Sequence, residues 1–294
     1  MSFSVRVGDR RLNAWLGGAE VGLALVFHTG TPAPPVDWAT LDEAAKERGL
    51  RLITYARPGY SGSSRHPDRS VADAAVDTLA VVDEFGAREF VTLGYSGGGP
   101  HAVACAALLP GRCLAAASLA GVAPFDADDL DWMAGMADRN IKEYTTVLEG
   151  EAALRPYLTA RVQRYSAVTG DEIAASLVGL VSDIDLAALT GEYADMWARS
   201  FRLAAQEGVE GWIDDDLAFV KPWGFDLAMI EVPVAVWHGR HDLAVPFAHG
   251  QWLGSHIASA RSRLLDDEGH LSLVTNRLGD ILSDIMELSK SRSN

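Results

Sequence analysis

Continuous apolar runs recur in the first 123 residues and again after residue 230, and they predict strands. Runs such as 21–27 (VGLALVF) and 90–95 (FVTLGY) show no alternation with polar residues. This pattern is typical of strands that are covered by helices on both faces of a parallel sheet. The strands predicted in this way are 3–7, 11–16, 21–27, 51–56, 90–95, 113–121, 232–239 and 261–267.

Helical patterns separate most of these strands. They cover 37–48, 70–85 with Ser70 as its N-cap, 97–109, 247–257 and 271–290. Alternation of strands and helices predicts an α/β fold, a mostly parallel sheet with helices on both faces.

The alternation stops between residues 124 and 226. Only helical patterns occur there, rich in Asp and Glu and with tryptophans at 132, 197, 212 and 223. We therefore predict a core of residues 1–123 and 227–294 and an inserted helical lid of residues 124–226. At helical spacing the tryptophans are either ordinary core residues or a hydrophobic ceiling over a pocket.

Composition narrows the partners that we expect. The 294 residues carry a net charge of −15, which disfavours binding to nucleic acid or to an anionic membrane. Two cysteines in apolar surroundings, no visible signal peptide and no apolar stretch of about 18 residues predict a cytoplasmic protein. The expected partner is a small molecule, and the oligomeric state stays open, a homo-oligomer included.

The stretch 94–99, GYSGGG, directly follows one of these strands and precedes a predicted helix. Ligands collect at the carboxyl ends of parallel strands. Gly94 and Gly98 permit a sharp strand-to-helix turn that lifts the hydroxyl of Ser96 clear of the sheet. Ser96 is therefore the candidate nucleophile. The alternative, a glycine-rich phosphate loop, lacks the lysine of a P-loop and the spacing of a dinucleotide fingerprint.

A serine needs a base and the base needs a carboxylate. His270 follows the last predicted strand and Asp242 follows the strand 232–239, so both lie at the same sheet edge as Ser96. Asp126, after the strand 113–121, is the alternative acid. His270 as a plain helix-start residue and Asp242 as a turn residue are the non-catalytic alternatives.

Two further histidines, His238 and His241, stand beside Asp242. We interpret them as structural neighbours. A metal site built from these three residues is disfavoured, because consecutive residues at a strand end point apart.

An oxyanion needs donors, which backbone N–H groups provide best. The first candidate is the N–H of Gly97, and the second is Thr31, in the loop HTGTPAPP after the strand 21–27. Thr29 and Gly30 are the alternatives to Thr31, since the prolines of this loop have no N–H. The loop could also be a rigid connector only.

Together these motifs resemble the serine α/β-hydrolases. GYSGGG resembles the nucleophile elbow, GTP (30–32) the HG-x-P oxyanion loop, and ARPGYSGS (56–63) the turn after the next strand. HGRHD (238–242) resembles the acid loop and DEGHLSL (267–273) the histidine loop. The resemblance spans residues 21–123 and 227–275, in the chain order Ser, Asp, His of that family. Thr29 departs from it, because the family usually has His there.

The resemblance implies an enzyme that forms an acyl-enzyme on Ser96, with His270 as base, Asp242 as its partner and Thr31 and Gly97 as oxyanion donors. No metal or organic cofactor is expected. The default substrate is a small to medium hydrophobic ester or lactone. Cleavage of a carbon–carbon bond or an amide, perhydrolysis, and non-catalytic ligand binding are the alternatives.

Overall fold

The computed structural model describes residues 2–292 and forms an eight-stranded sheet. The predicted core limits at residues 1 and 294 lie outside the described residues. The strands are β1 (Ser2–Val7), β2 (Arg10–Gly18), β3 (Leu23–His28), β4 (Leu50–Tyr55), β5 (Phe90–Tyr95), β6 (Cys113–Leu119), β7 (Val234–Gly239) and β8 (Ala260–Leu265).

The sheet has the order β1-β2-β4-β3-β5-β6-β7-β8. β2 pairs antiparallel with β1 and with β4, and every pair from β4 to β8 is parallel. Each predicted strand is present, and the predicted α/β class with a mostly parallel sheet is confirmed.

Helices cover both faces of the sheet. They are α1 (Ala39–Glu47), α2 (Asp73–Glu84), α3 (Gly99–Leu108), α4 (Asp138–Leu148), α5 (Glu151–Val162), α6 (Gly170–Leu177), α7 (Asp183–Ala188), α8 (Gly191–Glu207), α9 (Glu210–Phe219), α10 (Phe247–His256) and α11 (Ser272–Arg292). In β3, Leu25 packs on the face that carries α1 and α11, whereas Ala24 and Val26 pack on the face that carries α2 and α3. Burial on both faces explains why β3 reads as one apolar run.

The helices α4 to α9 lie between β6 and β7 in the chain, and we call them the helical segment (residues 138–219). Among the described residues of this segment, extended pairing is limited to one isolated bridge between Val178 and Val181. None of the helices within residues 2–292 combines the length and the apolar character needed to cross a membrane.

Element ends differ from the predictions where local backbone geometry intervenes. β6 ends at Leu119, two residues early, because Ala120 has a φ of +49°. The prediction of Ser70 as an N-cap was wrong: α2 begins at Asp73, and the Ser70 hydroxyl instead donates a hydrogen bond to the Asp73 carboxylate.

Candidate active site

Ser96 sits at the turn from β5 into α3, as the glycine pattern predicts. Its φ is +54°, a left-handed conformation that costs a non-glycine residue energy. A Cβ atom on Gly94 would overlap the carbonyl of Gly98, and one on Gly98 would overlap the carbonyl of His28. The glycines thus allow strand, turn and helix to approach closely, and the turn presents the Ser96 hydroxyl at the carboxyl edge of the sheet.

The structure brings the three predicted triad residues together. His270 Nε2 lies 3.1 Å from Ser96 Oγ, and His270 Nδ1 lies 2.7 Å from Asp242 Oδ2. His270 and Asp242 are both buried. Both distances are hydrogen-bond distances, so a continuous chain runs from the serine hydroxyl through the imidazole to the carboxylate.

Asp242 is held in place by its own loop. Its Oδ1 accepts hydrogen bonds from the backbone N–H groups of Ala244 (2.9 Å) and Val245 (2.8 Å). His238 Nε2 lies 2.8 Å from the Val245 carbonyl and 3.4 Å from Asp242 Oδ2. The carboxylate therefore has a fixed orientation, with Oδ2 directed at His270.

The electrostatics of the pair favour charge on both members. Burial opposes protonation of His270, but the charge of Asp242 and its hydrogen bond outweigh burial and raise the imidazole pKa above 6.5. Burial likewise opposes ionisation of Asp242, and the interactions with His270 and His238 hold its pKa well below the usual range. This pair is suited to accept a proton at His270 and to stabilise the resulting imidazolium.

The alternative residues lie elsewhere. Asp126 is exposed, and the carboxylate that reaches His270 is that of Asp242. His241 is exposed while His238 is fully buried, so the two side chains do not converge on a common point. Within residues 2–292 there is no group of three or more His, Cys, Asp or Glu side chains that could hold a metal ion.

The loop 29–32 packs against the turn that carries Ser96. A Cβ atom on Gly97 would lie 2.5 Å from Thr31 Oγ1, so Thr31 lies directly against Gly97. A Cβ atom on Gly30 would lie 3.3 Å from Ser96 Cβ. The two residues predicted as oxyanion donors are therefore neighbours beside Ser96.

Arg57 fixes this loop from behind. Its Nη1 donates to the Thr29 carbonyl (2.5 Å), and its Nη2 donates to the Gly30 carbonyl (2.8 Å) and to Asp215 (2.6 Å). Thr31 Oγ1 donates to the same carboxylate, at 2.7 Å. Thr29 stands where the family usually has histidine. The carbonyls of Thr29 and Gly30 nevertheless have a buried cationic partner, Arg57.

Asp215, from α9, is a functional neighbour that sequence reasoning missed. Besides Arg57 and Thr31 it accepts hydrogen bonds from Arg69 (2.6 Å) and Tyr60 (3.0 Å). Burial would raise the pKa of this carboxyl, but the charges of Arg57 and Arg69 outweigh burial and hold it well below the usual range. The signal in the sequence was three consecutive acids, 214–216, flanked on both sides by apolar residues.

Asp185, from α7, is a second neighbour that the sequence did not reveal. Its carboxylate accepts the backbone N–H groups of His270 (3.0 Å), Leu271 (2.7 Å) and Ser272 (2.9 Å). The side chain is fully buried. A residue of the helical segment therefore holds the backbone that carries the imidazole.

Two adjacent cavities lie near this site. The first, of about 110 Å³, is lined by Ser96, Gly97 and His270, by Thr31 and by residues of the helical segment, among them Trp212. The second cavity has a volume of about 1110 Å³ and is lined by the loop 29–39, by residues of β2 and β4 and by α8. Neither Ser96 nor His270 lines it. Gly30 and Trp197 line both cavities, so the wall between them is thin.

The four tryptophans divide between the two predicted roles. Trp197 and Trp212 line the smaller cavity, which we call the catalytic cavity. Trp132 and Trp223 belong to the hydrophobic core under the sheet. Some of the tryptophans are therefore core residues and others line the pocket. The sequence pattern alone did not distinguish the two groups.

Comparisons with known proteins agree with this geometry. A sequence model for the alpha/beta hydrolase fold matches residues 24–277. The chain is 28% identical, over 240 residues, to a non-heme haloperoxidase from Rhodococcus erythropolis, covering 78% of each chain.

Solved structures show the same fold. An enol-lactonase from Burkholderia xenovorans LB400 is 19% identical, with a TM-score of 0.66 over 97% of this chain and 100% of that one. An esterase from Exiguobacterium antarcticum is 16% identical, with a TM-score of 0.65 over 99% of this chain and 100% of that one. Because the family match covers residues 24–277, most of the chain, this protein belongs to the alpha/beta hydrolase fold family of enzymes.

Proposed function

We propose that this protein is a serine hydrolase that cleaves a small to medium, largely hydrophobic carboxylic ester or lactone. The observation that carries the proposal is the hydrogen-bonded chain Ser96–His270–Asp242, which opens into the catalytic cavity. A strained serine, a buried base and a fixed carboxylate are what nucleophilic acyl transfer requires.

The reaction has two halves. Ser96 Oγ attacks the substrate carbonyl while His270 Nε2 takes the hydroxyl proton, and Asp242 stabilises the imidazolium. His270 then returns the proton to the leaving alcohol, and an acyl group remains on Ser96. Water, activated by the same imidazole, releases the acid and restores the Ser96 hydroxyl.

The N–H groups of Gly97 and Thr31 stabilise the negative charge that develops on the carbonyl oxygen. Each such donor contributes about 3–4 kcal/mol to the transition state, more than a hundredfold in rate. Support comes from the contact between Thr31 and Gly97 and from the fixation of the loop by Arg57 and Asp215.

A second candidate reaction is perhydrolysis, which the relative named as a non-heme haloperoxidase favours. Hydrogen peroxide in place of water would attack the acyl group on Ser96, release a peracid and restore the hydroxyl. Formation of peracetic acid from acetate and hydrogen peroxide, lost in Ser96→Ala, would support this reaction.

The first test is labelling with a fluorophosphonate, which reacts with activated serines. We expect a single adduct that maps to Ser96 and that is absent from Ser96→Ala and His270→Ala. Hydrolysis of phenyl butyrate should fall at least a thousandfold in both variants. Equal turnover by Ser96→Ala and wild type would overturn the proposal, and absence of both adduct and turnover would point to a ligand-binding protein.

A further inference from the structure

The catalytic cavity has a polar wall that the proposed reaction does not use. Asp216 from α9, Arg161 from α5 and Glu143 from α4 all line it. All three side chains are at least nine-tenths buried. Buried charged groups are costly and are retained where they are paired or where they bind something.

Two atoms of this wall have no partner among the described residues. They are Asp216 Oδ2 and Arg161 Nε. Other polar atoms of the wall have partners: Arg161 Nη1 forms an ion pair with Glu143, Glu143 also accepts the Trp212 indole N–H at 2.7 Å, and Arg161 has a hydrogen bond with Tyr165. An acceptor and a donor are therefore left over beside the cavity, and such buried unpaired atoms are rare in folded proteins.

Helix geometry places the unpaired acceptor near the reacting atoms. The ring of Phe219 lies 3.0 Å from the position that a Cβ on Gly97 would occupy. Asp216 is three residues earlier in α9, and residues three apart lie on the same face of a helix. Asp216 thus lies about one helical turn from the nucleophile turn, along the wall of the same cavity.

We propose that this wall recognises a hydroxyl group on the acyl part of the substrate, and that the preferred substrates are short hydroxyacyl esters or lactones that carry a further, free hydroxyl on the acyl part. This inference rests on the proposed hydrolase function. A hydroxyl group can accept a hydrogen bond from Arg161 Nε–H and at the same time donate one to Asp216 Oδ2. Both unpaired atoms of the wall would then have a partner.

The charges of the wall argue against an ionic group in that position. Arg161, the cation of this wall, already pairs with Glu143. A carboxylate on the substrate would therefore lie beside the carboxyl groups of Glu143 and Asp216 without a free cation to pair with. Burial and the adjacent charge of Asp215 raise the pKa of Asp216 well above its usual range, while Arg161 opposes this rise. A neutral ligand leaves this balance undisturbed, and a neutral Asp216 can still hydrogen-bond a hydroxyl.

Cavity size limits the acyl chain. A dry cavity of about 150 Å³ holds benzene, and the catalytic cavity has about 110 Å³. An acyl group of roughly four carbons with one hydroxyl therefore fits the space, judged against that comparison.

The test compares phenyl butyrate, phenyl 3-hydroxybutyrate and monophenyl succinate on the wild-type enzyme. One well-formed hydrogen bond corresponds to about tenfold, so we expect kcat/KM for the hydroxy ester to exceed that for the butyrate by at least about tenfold. In Asp216→Leu this ratio should fall to about one. Asp77→Asn, which changes a buried carboxylate that pairs with Arg10 away from the cavity, is the control and should keep the ratio.

Binding to Ser96→Ala gives a readout that needs no turnover. By calorimetry, the hydroxy ester should bind with a Kd at least about tenfold lower than that of the butyrate. Ester turnover with no preference for the hydroxyl, or a preference for the succinate, would overturn the inference and leave the hydrolase proposal standing. Absence of turnover and of a Ser96 adduct, with tighter binding of the hydroxy ester, would overturn the hydrolase proposal and leave the recognition site.

Discussion

At the scale of single residues, the site depends on carboxylates whose surroundings push their pKa values in opposite directions. Adjacent imidazoles lower the pKa of Asp242, and adjacent arginines lower the pKa of Asp215, although both carboxyl groups are buried. Asp216, the neighbour of Asp215 in sequence, has its pKa raised by burial and by that neighbour's charge. Such separation of pKa values commonly assigns different tasks to chemically identical groups.

The charge of Asp242 gives a prediction for the pH dependence of the reaction. His270 must be neutral to act as a base, and its pKa is raised above 6.5 because of Asp242. We expect the acid limb of kcat/KM to have its midpoint above 6.5 in the wild type. In Asp242→Asn, burial is opposed only by the charge of Asp185, so the midpoint of the residual activity should move to lower pH, while kcat falls about 10³–10⁴-fold.

The matched control for that experiment is Asp126→Asn. Asp126 also follows a strand at the same sheet edge but is exposed. It should leave both the midpoint and kcat unchanged. An acid limb that stays in place in Asp242→Asn would show that another group controls the profile.

At the scale of elements, the sequence predicted the strands better than the contacts between elements. β3, β5, β6 and β7 are buried on both faces, and this makes each of them a continuous apolar run that can be recognised locally. Their carboxyl ends then place Ser96 and Asp242 at one edge, and the strand before His270 adds the third residue. The triad was therefore predictable from the order of the elements together with the glycine pattern around Ser96, although Asp126 remained as the alternative acid.

The contributions of the helical segment were not predictable in the same way. Asp185 contacts a backbone 85 to 87 residues away, and Asp215 contacts Arg57 across 158 residues. Such contacts depend on how α7 and α9 dock onto the core, which no local pattern records. Ser70 failed as a cap for a different, local reason: its hydroxyl donates to Asp73, three residues later, instead of accepting a helix-end N–H.

The contact between α7 and the histidine loop gives a second prediction. In Asp185→Asn, one oxygen acceptor is replaced by an NH₂ group that cannot accept the N–H groups of residues 270–272. We expect kcat/KM to fall at least about tenfold, since hydrogen bonds to a charged group contribute about 1.5–3 kcal/mol. The charge of Asp185 also helps to raise the pKa of His270, so the acid limb should shift to lower pH.

Asp183→Asn is the control, since Asp183 is an exposed acid on the same helix. A loss of activity without a shift of the acid limb would indicate that Asp185 acts only through general stability. The pH profile thus separates positioning of His270 from a merely structural effect.

At the scale of the whole molecule, two buried carboxylates join the helical segment to the core at two points of the site. Asp215 reaches the loop that carries Thr31, and Asp185 reaches the loop that carries His270. The catalytic cavity lies between these two attachments. Docking of the segment and assembly of the catalytic groups are therefore coupled, and a loosened segment would disturb the base and the oxyanion loop together.

Burial of an ionisable group away from the active site makes the free energy of unfolding depend on pH. His249 in α10 is buried, accepts the Ala123 N–H at Nδ1 (3.0 Å), and lies 2.8 Å from the Trp132 carbonyl at Nε2. Burial lowers its pKa from 6.5 to about 4. Below pH 6.5 the unfolded chain binds a proton that the folded protein excludes, so this histidine lowers the free energy of unfolding as the pH falls from about 6.5 to 4.

The size of this effect follows from linkage. One histidine contributes a slope of at most about 1.4 kcal/mol per pH unit over that window. Other groups titrate in the same range, whereas the contribution of His270, which has the opposite sign because its pKa is raised, falls above pH 6.5. The contribution of His249 is therefore best measured as a difference between variants.

In His249→Gln, urea unfolding between pH 7 and pH 4.5 should show a slope shallower than wild type by up to about 1.4 kcal/mol per pH unit. The variant will be less stable than wild type at pH 7, because glutamine cannot reproduce both ring contacts, but the gap should narrow as the pH falls. His256→Gln, an exposed histidine on the same helix, is the matched control. A parallel pair of curves for His249→Gln and wild type would mean that the folded protein admits the proton at His249, contrary to its burial.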